Sequence, residues 1–131
     1  MTLEQDRAAK AFADVSAVAS AHGKSTPQSK SYGSFALKLP VLVRTAGLCQ
    51  ALHFLDSRGK ETATLLLQHL AAQLTRVDPD IATRGLLDRV RQADLPTYLR
   101  LSRETVAIAT WYARLAQSVL DVRPGEEAGE P

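Results

Sequence analysis

The chain has 131 residues, 45% of them hydrophobic and 23% charged, with a formal net charge of +2. That balance excludes a disordered chain, and the length suits one domain burying roughly two-thirds of its unfolded surface. The single cysteine, Cys49, excludes an internal disulfide and fits a reducing cytosol.

The charge is unevenly spread. Residues 24–60 carry Lys24, Lys30, Lys38, Arg44, Arg58 and Lys60 against Asp56 alone, a local net of +5, whereas the segment from Asp121 onward nets −3. A basic first half is therefore partly masked in the total by an acidic tail. Glu4, Asp6, Arg7 and Lys10 interrupt the start, so it lacks the form of a signal peptide. No run of about twenty apolar residues occurs. The expected location is cytoplasmic, with no membrane partner.

Taken in chain order, Thr2 followed by Gln5 predicts a capping box. A helix follows with Ala8, Ala11, Phe12, Val15 and Ala19 on its inner face, ended by Gly23. The polar segment GKSTPQSK, about 23–30, reads as a flexible loop. Ser31 to Arg58 then reads as one helix of roughly 42 Å. Pro40 should kink or break it near Lys38 and Leu39. Tyr32, Phe35, Leu39, Leu42, Val43, Leu48, Ala51, Leu52, Phe54 and Leu55 make it apolar nearly all round, as in a helix surrounded by others or sitting in an interface.

Glu61 to Val77 is amphipathic through Ala63, Leu66, Leu67, Leu70 and Leu74. Asp78-Pro79 predicts a helix start, with Leu86, Leu87 and Val90 buried beyond a weakening Gly85. Asp94-Leu95-Pro96 repeats that signal, and Ser102 reads as the cap of the last helix. Val106, Ala109 or Thr110, Ala113 and Val119 form that helix's buried side, widened by Trp111, Leu115 and Leu120. No alternating strand pattern occurs. The prediction is an all-α compact bundle of five or six helices over residues 1–122, followed by a disordered acidic tail, 123–131.

Chemistry is sparse. Cys49 and His53 stand four apart on one helix face, but no second CxxC or HxxxH completes a metal site. A buried thiol beside an interfacial histidine is the expected arrangement. Asp78 and Asp80 flank a proline, where capping explains them, and no glycine-rich phosphate loop occurs. The chain is expected to be non-enzymatic, with no metal and no cofactor. Basic residues are the remaining signal: Lys30, Lys38, Arg44 and Arg58, with Arg100, Arg103 and Arg114 later, could meet phosphates. Tyr32, Tyr98, Trp111 and Tyr112 could stack on bases, but helical spacing buries them, and core packing is expected for Tyr32 and Trp111.

Two stretches carry a resemblance. KSYGSFALKLPVLVRTAGLCQALHFL resembles the signature of the small all-helical subunit of the type III-B (Cmr) CRISPR effector complex, through Tyr32, Pro40, Gly47, Leu48, Ala51 and Phe54. YLRLSRETVAIATWYARLAQSVL is similar to that family's last helix, through Tyr98, Ser102, Arg103, Glu104, Trp111, Arg114 and Ala116. The opening LEQDRAAKAFADV looks like its first helix, with Arg7 at the basic position. One departure is Ala46, where the family often has asparagine.

The resemblance implies a non-catalytic, CRISPR-associated subunit of the RAMP module, acting in antiviral defence. Such subunits stack on copies of themselves along a filament of RAMP-type backbone subunits, beside the large subunit. Their basic faces help line the channel where CRISPR RNA pairs with target RNA. On that basis Lys30, Lys38, Arg44, Arg58, Arg103 and Arg114 are the RNA-binding candidates. The alternatives are a type III-A small subunit, and a helical protein–protein adaptor without RNA binding.

Overall fold

The structure, a computed structural model, describes residues 1–125, and each regular element among them is a helix. These are α1 (Leu3–His22), α2 (Pro27–Ala46), α3 (Leu48–Ser57), α4 (Glu61–Leu74), α5 (Ile81–Arg84), α6 (Leu86–Gln92) and α7 (Leu95–Val119). The all-α expectation holds, with more pieces than expected. Residues 126–131, most of the expected acidic tail, lie outside the described residues.

The extra pieces come from glycines. The long central helix divides at Gly47, where φ is +92°, and runs unbroken through Pro40. Pro40 removes one backbone donor at a cost of about 3 kcal/mol or more in a helix interior. Phe35, Ala36, Leu39, Pro40 and Val43 are all buried there. A large apolar side chain gains roughly 1.5–3 kcal/mol on burial, so packing outweighs the lost bond. At Gly47 the chain takes a conformation that other residues rarely adopt, and the helix must restart. Gly85 (φ +91°) divides α5 from α6 in the same way.

Other starts differ from expectation. Thr26 caps α2 by accepting from Ser29 N–H, so that helix begins at Pro27, inside the segment expected as a loop. Asp78 is buried and divides its carboxylate, Oδ2 taking Arg89 Nε at 2.7 Å and Oδ1 accepting from Asp80 N–H at 3.2 Å just before α5, which has no side-chain cap of its own. Asp94 does cap, but it opens the whole of α7, so Ser102 lies inside that helix. The capping box of Thr2 and Gln5 forms as expected.

Helices α2 and α7 pack together along most of their length. They run antiparallel, with Gly33 against Val122 at one end and Gly47 beside Tyr98 at the other. Helix α1 lies parallel to α7, since Arg7 meets Glu104 and Asp14 meets Tyr112. Helices α3 and α4 cover the remaining side of α2, and α6 packs on α3. The buried face of α7 is Leu101, Glu104, Thr105, Ile108, Ala109, Tyr112 and Ala116, a stripe at three- and four-residue spacing. Phe12, expected inside, is 54% exposed. Trp111 is half-buried and packs on the core from its edge.

One polar cluster crosses this core. The Tyr32 hydroxyl is 2.7 Å from His69 Nδ1, and Tyr112 donates to Asp14 Oδ2 at 2.6 Å while accepting from Gln73 Nε2 at 3.1 Å. The His69 and Tyr112 rings stack 6.1 Å apart, and His69 Nε2 lies 3.9 Å from Asp14 Oδ1. Burial pushes both phenols up in pKa. Burial also pushes His69 down, outweighing the opposite pull of Asp14.

This packing can be tested at two points. A Cβ at position 33 would lie 2.8–2.9 Å from three side-chain carbons of Val122. Gly33→Ala therefore destabilises the fold by about 1–3 kcal/mol, read as a lowered urea midpoint, and adding Val122→Ala recovers part of the loss. For His69, the folded state takes up a proton less readily than the unfolded chain, whose value is near 6.5. Its stability contribution is complete above that pH and drains as pH falls below it. Thermal unfolding followed from pH 7.5 to 5 should give a falling Tm, with a shallower slope in His69→Gln.

Candidate nucleic-acid interface

The six candidate cations divide between two regions and the ends of helices. Lys38, in the middle of α2, lines a groove of about 400 Å³ with Leu37, Val41, Leu42, Thr45 and Phe54. Arg58, just past α3, sets its guanidinium 5.5 Å from the Phe54 ring centre, so Lys38 and Arg58 flank the same aromatic. Lys30 is half-buried near the start of α2, and Arg44 is exposed in its last turn. Arg103 and Arg114 are exposed on α7. Eleven residues apart, they share a helix face at a separation of about 16 Å. Arg114 lies 5.9 Å from the Trp111 ring centre, a cation–π contact that steadies both side chains.

The strongest concentration of charge surrounds Arg103. Arg7, Arg76, Val77, Arg100, Arg103 and Glu104 line a cleft of about 440 Å³. Glu104 is buried, and Arg7 grips it with both prongs, Nε to Oε2 at 2.8 Å and Nη2 to Oε1 at 2.7 Å. Arg76 adds a second hydrogen bond to Oε2. These bonds, that from Arg7 foremost, hold the Glu104 carboxyl below the usual carboxylate range despite its burial.

Sequence reasoning singles out Arg103 and weighs Arg100, but misses Arg76 and the convergence itself. A usable signal is present. Glu104 falls on the 101/104/105/108 stripe, and a carboxylate on a buried stripe requires a cation partner.

The aromatic candidates are mostly occupied. Tyr32 and Tyr112 are fully buried in the polar cluster. The Tyr98 hydroxyl accepts from Cys49 N–H at 3.1 Å, satisfying one donor left open where α3 restarts after Gly47. Cys49 and His53 are half-buried beside Gln50, Phe54 and Ser57, and His53 Nε2 lies 3.2 Å from Arg91. Among the described residues no three His, Cys, Asp or Glu side chains are grouped to hold a metal ion. Nor is any described helix long and apolar enough to cross a membrane.

Comparison with known proteins agrees with this architecture. The family described as "CRISPR-associated protein (Cas_Cmr5)" matches residues 3–119. A curated relative from Thermus thermophilus, named CRISPR system Cmr subunit Cmr5, is 44% identical over 120 residues, covering 92% of this chain and 97% of its own. The crystal structure of a CRISPR-associated Cmr5 family protein from the same organism superposes with a TM-score of 0.74 at 40% identity, over 92% of this chain and 99% of that one. With the family matched along nearly its whole length, this chain belongs to the Cmr5 family of CRISPR-associated proteins.

Proposed function

We propose that this chain is the non-catalytic small subunit of a type III-B (Cmr) CRISPR ribonucleoprotein. In this reading it stacks on copies of itself beside RAMP-type backbone and large subunits, and its basic side chains help line the channel holding CRISPR RNA and target RNA. The observation that carries the reading is the relationship to a Cmr subunit at 44% identity across nearly the entire length of both chains.

Two physical features support it. Cations recur along α2 and α7, exposed at Arg44, Arg100, Arg103 and Arg114 and half-buried at Lys30 and Lys38, and phosphate contacts by such side chains bind RNA without reading its sequence. Val41, 59% exposed on the outer side of α2, continues an apolar groove with Leu37, Leu42 and Phe54 that suits contact with a neighbouring subunit.

Tagging the chain in its native cells and purifying it gently tests the assembly. Short RNAs sharing a repeat-derived 5′ end, together with RAMP-type subunits, are the expected companions; a protein that emerges without RNA refutes the channel role. For the basic faces, Lys38→Glu, Arg44→Glu and Arg114→Glu combined should weaken target-RNA capture by the assembled complex at least tenfold at low salt. The helical circular dichroism of the variant should match the parent.

A further inference from the structure

The cleft around Glu104 carries more positive charge than its structural task requires. Glu104 has two oxygens, and Arg7 and Arg76 already engage both. Two guanidiniums would suffice to neutralise and hydrogen-bond one buried carboxylate. Yet Arg100 and Arg103 line the same cavity, so four guanidiniums face Glu104 and Glu4, the latter 3.5 Å from Arg7 Nη1, a net of +2. Arg103 has no ion-pair or hydrogen-bond partner among the described residues. Arg100 acts electrostatically on Asp94, whose carboxylate is engaged by Thr97 at the α7 N-cap. Gathering like charges in this way works against compactness unless an anion completes the site.

We propose that this cleft seats one backbone phosphate of an RNA strand, with Arg76, Arg100 and Arg103 as the contacting side chains and Arg7 with Glu104 as their support. The assignment rests on the channel-lining reading above and gives it a specific anchor point.

The chemistry fits. A guanidinium presents five N–H donors in a planar fork that matches two oxygens of a phosphodiester, and only Nη2 of Arg76 is used on Glu104. Because Glu104 pins Arg7 and Arg76 in place, less side-chain freedom remains to be lost on binding. The cavity, at about 440 Å³, lies within the range of about 300–1,000 Å³ typical of ligand pockets, so the sugar bearing the phosphate has room. Arg100 and Arg103, one turn apart on α7, project from a rigid helix of 25 residues.

The test uses the full chain, labelled with ¹⁵N in its arginine side chains and titrated separately with decauridylate and with inorganic phosphate at low salt. Decauridylate should shift the Nε–H resonances of Arg76, Arg100 and Arg103. Arg100→Gln with Arg103→Gln should lower its affinity at least tenfold. The slope of log affinity against log salt should flatten by about 0.7, the value for one single-strand phosphate contact. Both residues are exposed and outside the Glu104 pairing, so circular dichroism should not change and Tm should not fall.

Unchanged affinity in that double variant overturns the seat. If the Lys38, Arg44 and Arg114 variant still weakens binding, the wider channel reading survives that result. Resonances that move with inorganic phosphate but not with decauridylate reduce the cleft to a free-anion site and overturn the proposal, as does silence to both.

Discussion

Four helices are registered against one another by a single set of polar side chains inside an otherwise apolar core. Asp14 comes from α1, Tyr32 from α2, His69 and Gln73 from α4, and Tyr112 from α7. Apolar burial supplies most of the driving force but is non-directional, so a helix could slide along its neighbour at little cost. Hydrogen bonds at 2.6 and 2.7 Å tolerate no such slide. With Asp14 fixed against Tyr112, Arg7 falls opposite Glu104 two turns earlier on both helices. With α2 held against α7 by the same cluster, Gly33 falls opposite Val122. The arginine cleft is thus a product of helix register.

Much of the fold is legible in the sequence because packing follows periodicity. The Thr2–Gln5 cap, the burial of Tyr32, Phe35, Leu39, Val43, Leu48, Leu52 and Leu55, and the Asp94 cap all stand where spacing and turn chemistry place them. The errors have physical sources. Helix-breaking rules overweight Pro40 against the burial around it, and underweight Gly47 against the positive φ it adopts. On α7 an acid on the inner stripe disguises the buried face, so spacing alone starts the helix at Ser102 and puts Ala113 at the centre of the inner face, where Val106 only packs from the edge. Phe12 is misplaced in the core because an aromatic at helical spacing usually is buried.

The site is less legible for a different reason. Arg103 stands out in sequence as a cation on a helix, but Arg76 follows the end of α4, where a cation is ordinarily read as complementing the helix dipole. Only the tertiary arrangement brings positions 7, 76 and 103 to one cleft. The stretches that carry the family resemblance prove to touch one another: Gly47 lies beside Tyr98, and Arg7 grips Glu104. What reads as separate motifs is one set of contacts seen along a line.

The pairing of α1 with α7 bears on the order in which the chain can assemble as it is synthesised. Arg7 and Glu104 are 97 residues apart, and Asp14 and Tyr112 are 98 apart. Closing a loop of that length costs on the order of 4 kcal/mol in chain entropy before any contact rewards it. Helix α1 leaves the ribosome before α7, yet α7 supplies most of the surface against which Ala11, Val15 and Val18 are buried. Full docking of the opening helix therefore waits until α7 emerges and lets the domain close on itself.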